Sequence, residues 1–418
     1  MTTEILTDQV HNAEARAAAE AKAAARRKAL PTADFFDYES LLTGPEQLLL
    51  AKVREFCARE IAPHAKQWWE AENVPRAVIV GLSTLGISDM QGHGYSRLCA
   101  GLVNMELCRA DLSTGAIFGI HHGLFAEGVR VFGTDDQKER FLGAAERADI
   151  LGGFALTEPE HGSDVAGGMS TLVTRDGDGW VLNGAKRWIG NAVDGDYVFL
   201  WARDTADGQV RGFILDLTLP GVTRTKIENK TAMRGIKNAD LLLVDVRVTE
   251  ADRLSGISSF ADTNTLLLGS RVSVGWMSVG LQFAAFDTAR QYALDRLQFG
   301  KPLAKFQMVQ QQLVEMLGNA TASLAMTSRL AQIQDAHSAG KGPELRMEQA
   351  ALVKAFTSAR CLETVAKGRS LLGGNGIVTD FGMAKVFADA QPIVTFEGTY
   401  EVNTLLVGRA VTGHSAMI

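Results

Sequence analysis

The sequence predicts a mainly α-helical protein with a central β-domain. Two observations carry that expectation. Apolar residues recur at helical spacing from about Tyr38 to Leu151 and again beyond Asp262. Between those stretches the chain breaks into short β-rich runs separated by turn residues. With 418 residues it is long enough for two or three domains and a large buried core.

Residues 1–37 form an Ala-rich stretch with interspersed Glu, Lys and Arg between Ala13 and Arg27. Glu4, Asp8, Glu14 and Glu20 argue against a transit peptide, so a weakly attached, partly helical extension is expected. An N-terminal helical domain is expected over 38–151, where Gly44-Pro45 sets a start and Leu49, Val53 and Phe56 share a face. Leu112 to Val131 is a long apolar stretch containing His121 and His122. Neighbours on a helix point about 100° apart. These histidines therefore cannot act as an i, i+4 metal pair, and read as packing or pocket-lining residues.

An antiparallel β-domain is expected over 152–258, with runs at 171–175, 180–182, 197–202, 210–217 and 241–248. Asp176-Gly177-Asp178-Gly179, Asp194-Gly195 and Pro220-Gly221 supply the turns, so a small sandwich or barrel is predicted. From 259 to 418 the helical period returns. Val274, Met277 and Leu281 mark one face, and Phe306, Val309, Leu313 and Leu317 another. Breaks at 340–343 and 373–376 divide this region into a C-terminal four-helix bundle.

A composition of 46% apolar and 22% charged residues, with net charge −6, fits a soluble protein without a global basic field for nucleic acid or anionic membrane. There is no apolar run of membrane length. Cys57, Cys99, Cys108 and Cys361 form no CxxC pair and no His-paired metal pattern. They read as reduced thiols in a cytosolic core, with no metal implied.

The candidate chemistry centres on Glu397. It follows Val394-Thr395-Phe396 and precedes Gly398, which lets the backbone turn sharply. Thr399 then opens a run that continues as a helix with Leu405 and Leu406 facing inward. A carboxylate on such a corner, beside apolar neighbours and free helix-start N–H groups, is expected to have the raised pKa of a general base. The same stretch also reads as a helix cap with a solvated glutamate.

Four other segments stand out. Phe154 to Asp164 joins an apolar strand to a loop of small polar residues, where Thr157 and Ser163 offer hydroxyls. Lys186-Arg187-Trp188-Ile189-Gly190-Asn191 presents a tryptophan able to stack on a flat ring. Asp295 to Leu303 carries Arg296, suited to a pyrophosphate. Gly373-Gly374 permits close backbone approach. Singly, each also reads as structural. No GxGxxG motif follows a first strand, so a Rossmann site is unsupported.

In this order, over roughly residues 40 to 415, these segments resemble the acyl-CoA dehydrogenase family. Within it the chain is similar to the glutaryl-CoA dehydrogenase branch and to the plant short-chain acyl-CoA oxidases. The resemblance implies the acyl-CoA dehydrogenase fold, a homotetramer and one FAD per subunit. It implies that Phe154, Leu156, Thr157 and Ser163 line the flavin, with Trp188 and Gly190 beside it. Arg296, Phe299, Gln307, Gly373 and Gly374 would reach a neighbouring subunit's FAD, and Thr399 and Glu401 the FAD near Glu397. Ser163, Arg271 and Gly398 would contact the acyl-CoA substrate, Arg271 pairing with Glu397 or with ligand. Glu397 is the expected catalytic base, because the alternative helix position holds Ser270.

Two departures from the family pattern matter. Gly190 stands where the family usually has a Thr or Ser hydroxyl toward flavin N5, and the plant oxidases have the same Trp-Ile-Gly-Asn form. Residues 111–118 lack the arginine that would hold a glutaryl carboxylate, and an unpaired buried carboxylate is costly. The expected reaction is therefore α,β-dehydrogenation of a short or branched neutral acyl-CoA in a bacterial cytoplasm. Electrons would pass to an electron-transfer flavoprotein, or to O2 if the protein is an oxidase; glutaryl-CoA dehydrogenation is the remaining alternative.

Overall fold

A computed structural model describes residues 30–416. The first part of the expected N-terminal extension, residues 1–29, lies outside the described residues. Helix α1 (Gly44–Phe56) begins where expected: the Thr43 N–H donates to the Glu46 carboxylate at 2.9 Å and Pro45 sits in the first turn. Among the described residues six further α-helices precede the sheet: α2 (Ala65–Glu70), α3 (Arg76–Ser83), α4 (Arg97–Ala110), α5 (Leu112–Ile120), α6 (Glu127–Phe132) and α7 (Asp135–Glu146). The apolar stretch over 112–131 is thus not one regular helix. A π-helical turn, His121–Ala126, interrupts it. There the Gly152 N–H donates to His121 Nδ1 and His121 Nε2 meets the Ala145 carbonyl, both at 2.9 Å. Burial keeps this ring neutral, drawing its pKa down to about 4.

Among the described residues seven β-strands form one sheet. They are β1 (Gly152–Ala155), β2 (Leu172–Asp176), β3 (Gly179–Ile189), β4 (Tyr197–Asp204), β5 (Val210–Asp216), β6 (Val222–Lys226) and β7 (Ala239–Thr249). The order is β1-β4-β2-β3-β7-β6, with β5 also on β4. Most pairings are antiparallel as expected, but β4 pairs parallel with both β1 and β2. Non-sequential strands meet there through long connections, which permit parallel pairing. Strand β6 gave no sequence signal because none of its five residues is buried. Alternation along β4 serves two cores: Phe199 and Trp201 pack with Val129, Phe132 and Leu266, and Val198, Leu200 and Ala202 with Leu182, Phe213 and Leu243.

Beyond the sheet come α8 (Thr263–Asp295), the hairpin β8 (Leu297–Gln298) and β9 (Lys301–Pro302), α9 (Gln307–Ser338), α10 (Met347–Leu371), α11 (Met383–Ala390) and α12 (Tyr400–Thr412). In α8 the expected face Val274, Met277 and Leu281 is buried, but so are Trp276, Val279 and Phe283. A helix apolar on most sides belongs at a centre, and α8 packs against α4, α9 and α10. One expectation fails in α12. Leu405 and Leu406 are only half-buried, and Asn403 is the residue enclosed. All four cysteines are free and buried. No described helix is long and apolar enough to cross a membrane.

The helices before the sheet are joined to those after it by an enclosed ion cluster. Lys385 Nζ on α11 donates to Asp111 Oδ1 at 2.5 Å and to Asp389 Oδ2 at 2.8 Å. Asp111 also caps α5 through the Thr114 N–H at 2.8 Å. Asp389 Oδ1 accepts from Trp69 Nε1 at 2.8 Å and from the Met233 N–H at 2.6 Å. Burial alone would weaken the Lys385 ammonium, but the two carboxylates outweigh it and raise its pKa. Lys385→Met leaves two enclosed carboxylates without their cation. It should cost about 3–5 kcal/mol, read as a lower urea midpoint at unchanged slope. A loss below about 1 kcal/mol would show that the cluster does not hold these elements together.

Candidate active site

Glu397 sits on a tight corner between the 3-10 turn Gln391–Val394 and α12. Its φ is +56° and that of Gly398 is +87°. Two consecutive left-handed residues reverse the chain sharply, and for a glutamate this conformation is strained. Gly398 is required here. A Cβ would stand 3.0 Å from Asn403 Nδ2 and 3.1 Å from Arg271 Nη2, at a φ that side chains disfavour. Thr399 caps α12, its hydroxyl accepting from the Val402 N–H at 3.2 Å.

Three helices secure the corner. Lys354 Nζ from α10 donates to the Gly398 carbonyl at 2.6 Å, and Asn403 Nδ2 from α12 donates to the same oxygen at 2.8 Å. From α8, Arg271 Nε donates to Asn403 Oδ1 at 2.9 Å and Nη1 to the Leu267 carbonyl at 2.9 Å. Arg271 thus engages Asn403 and its own helix, and Glu397 acts on it only through the field that opposes the burial-driven fall in its pKa. Glu397 is half-buried and Glu401 exposed.

Sequence reasoning singled out neither Lys354 nor Asn403. The signal for Lys354 was present: it falls on the stripe Ala350, Ala351, Thr357, Ser358, Cys361, which the structure buries.

The strand-end segments meet one another. The Arg187 N–H donates to the Thr157 carbonyl at 2.8 Å, and Lys186 Nζ donates to the Leu156 carbonyl at 3.1 Å and to Glu158 Oε1 at 2.9 Å. Both Lys186 and Glu158 are enclosed. Burial works against the Glu158 carboxylate. The Lys186 cation and donors from Ser170 and Thr171 outweigh it and hold the carboxyl at about 2. Burial weakens the Lys186 ammonium toward about 8, yet two oxygen acceptors favour the cation, so the pair is ionised at neutral pH. This pair lay inside the quoted motifs, but its role was not assigned from sequence.

Leu156 is buried, Thr157 half-buried and Ser163 exposed in the following loop. Phe154 stacks on Phe199, with ring centroids 5.8 Å apart and planes 6° apart. Trp188 has φ +65° and a half-exposed indole with Arg187 5.2 Å from its centroid. Gly190 is buried. A Cβ there would stand 2.5 Å from Ile120 Cδ1 and 3.2 Å from Ile236 Cδ1, so Ile120 occupies the space of a side chain.

Phe154, Ile120 and Leu267 all border one apolar cluster. One turn along α8, about 6 Å, separates Leu267 from Arg271 and hence from the Glu397 corner. The strand ends and the corner therefore flank the same part of α8.

The other candidates lie elsewhere. Arg296 is 25 residues beyond Arg271 along α8 and its end, which is about 37 Å in helical rise. Phe299 projects from the β8–β9 hairpin at 91% exposure, and Gln307 is exposed at the start of α9. Gly373 and Gly374 join this second group, because Asn375 Nδ2 donates to the Tyr292 hydroxyl at 3.0 Å. Gly373 has φ +61°, and nothing lies within 4 Å of a Cβ placed at either glycine. An open, side-chain-free backbone of this kind suits a pyrophosphate. Among the described residues no group of three or more His, Cys, Asp or Glu is arranged to hold a metal.

Three family models match the chain: the N-terminal domain of acyl-CoA dehydrogenase over residues 43–147, its middle domain over 153–246 and its C-terminal domain over 260–412. The human mitochondrial short-chain specific acyl-CoA dehydrogenase is 31% identical over 88% of this chain and 91% of its own. Glutaryl-CoA dehydrogenase from Mycobacterium smegmatis superimposes with a TM-score of 0.88 at 31% identity, covering 93% of this chain and 100% of that one. A glutaryl-CoA dehydrogenase from the same species, in complex with FADH2, gives 0.88 at 29% identity over the same shares. Butyryl-CoA dehydrogenase from Megasphaera elsdenii gives 0.83 at 28%, covering 88% and 98%. The chain belongs to the acyl-CoA dehydrogenase family and is an oxidoreductase.

Proposed function

We propose that this protein is an FAD-dependent dehydrogenase of short or branched acyl-CoA thioesters. It converts them to trans-2-enoyl-CoA and passes the electrons to an electron-transfer flavoprotein. The observation that carries this reading is the Glu397 corner: one carboxylate on a fixed left-handed turn, flanking the same part of α8 as the flavin-type strand ends. FAD is the cofactor, supported by the family and by the FADH2-bound relative. Leu156, Thr157, Ser163 and Trp188 would hold it near Glu397. Arg296, Phe299, Gln307, Gly373 and Gly374 lie too far along α8 for the same cofactor and would serve that of a second subunit in a homotetramer.

Bound FAD supplies the acceptor for the hydride that leaves the substrate β-carbon. Glu397 takes the α-proton, becoming neutral as the α–β double bond forms. The Glu397 N–H, held in place with the corner, donates to the thioester carbonyl and stabilises charge developing there. The clamp on the Gly398 carbonyl keeps carboxylate and N–H in register, so little reorganisation accompanies proton transfer.

A neutral acyl group is favoured because Leu112 to Phe118 are all buried and none is basic, while nearby Arg109 is engaged by Glu106 and Asp287. Anaerobic titration with butyryl-, isobutyryl- and glutaryl-CoA tests this. A neutral thioester should bleach the flavin, and the bleaching should persist in air. Bleaching by glutaryl-CoA alone would overturn the substrate assignment. Glu397→Gln should stay yellow and lose at least about 100-fold in bleaching rate; a wild-type rate would remove Glu397 as the base.

One observation favours oxidase chemistry as a second reading: Ile120 fills the space where a hydroxyl at position 190 would stand. Rapid return of colour in air with stoichiometric peroxide would establish it. The packing itself is separately testable. Gly190→Thr should cost about 1–3 kcal/mol by overpacking, and adding Ile120→Ala should recover at least half in thermal melts. Simple additivity would mean that Ile120 does not govern this position.

A further inference from the structure

We propose that Lys354 is a positioning residue for the base. Its enclosed ammonium fixes the Gly398 carbonyl, the peptide oxygen next to the base, and so brings a positive charge to the Glu397 corner. This rests on the assignment of Glu397 above.

Lys354 lies mid-helix on the inward stripe of α10, between Ala351 and Thr357, Ser358, and is fully enclosed. Nothing in bundle packing asks for a cation there, and burying one is unfavourable without an acceptor. Its acceptor is not a neighbouring carboxylate or a helix end but the peptide oxygen immediately after the base. That oxygen receives a second donor from Asn403, which Arg271 orients in turn. The corner joins two consecutive left-handed residues, one of them glutamate, and such a conformation persists only when its surroundings over-determine it. Lys354 and Asn403 supply that determination from two different helices.

The charge has its own consequence. The groups facing Lys354 are Glu397 on the corner, Arg271 on α8 and Glu401 on α12. Burial draws the Lys354 pKa down to about 8; Glu397 and Glu401 oppose the fall and Arg271 adds to it. Below that pH the side chain is a cation and favours the ionised form of Glu397, the form able to accept a proton. Removing the cation removes this attraction for the charged carboxylate.

The test uses the FAD-loaded protein with Lys354→Gln, Lys354→Met and Lys354→Arg. The acid limb of the anaerobic bleaching rate with butyryl-CoA should move up by about one pH unit in the Gln and Met variants and stay near wild type in Arg. Without turnover, infrared titration of the carboxylate band that disappears in Glu397→Gln should show the same shift. If Lys354→Met fails to fold, Lys354→Gln, which is neutral but keeps a hydrogen-bond donor, decides. A packing role alone would lower stability in every variant and leave both the limb and the band in place, and that result overturns the proposal. Wild-type bleaching by Glu397→Gln would instead sink the base assignment, and the infrared band would still report whether Lys354 acts on that carboxylate.

Discussion

A single enclosed ammonium, that of Lys385, holds the parts of this protein in register. Its two carboxylates come from the start of α5 and from the end of α11, and one of them also takes hydrogen bonds from Trp69 and the Met233 backbone. Charges in such a place are tolerable only when every one is paired. The cluster therefore admits one arrangement of the first helices, the loop before β7 and α11. Asp389 leads through the turn Gln391–Val394 directly into Glu397, so the position of the candidate base is inherited from this contact.

The same device recurs twice. Lys186 reaches the Leu156 carbonyl and Glu158, fixing the ends of β1 and β3 against each other. Lys354 reaches the Gly398 carbonyl. In each case a long flexible stem carries a compact charge through an apolar interior to an oxygen on an irregular segment. Irregular backbone has no ladder of its own to satisfy its carbonyls, and these lysines supply the missing donors where helix and sheet periodicity end.

The candidate residues fall into two groups. Strand ends carrying Leu156, Thr157 and Trp188 flank α8 near the Glu397 corner, and a second group around Arg296 and Gly373 lies at the far end of that helix. About 37 Å of helical rise, from Arg271 to Arg296, separates them. Ile120, the last residue of α5, takes the space beside Gly190. The irregular turn begins at the next residue and places His121 between Ala145 and Gly152.

The sequence by itself determined the alternation of helical and β-rich regions, the helix starts at Gly44 and Thr399, and the family. These rest on local periodicity, turn chemistry and ordered motifs, all of which are written within a few residues of one another. The base candidate was legible for the same reason, as a carboxylate beside a glycine and a helix cap. The tertiary structure alone decided the parallel pairing of β4, the π turn at His121 and the half-buried state of Leu405 and Leu406. It alone brought Lys354, Asn403 and Arg271 to one corner. Those outcomes depend on which distant oxygen a buried donor finds, and residues 271, 354 and 403 meet only after three helices have packed.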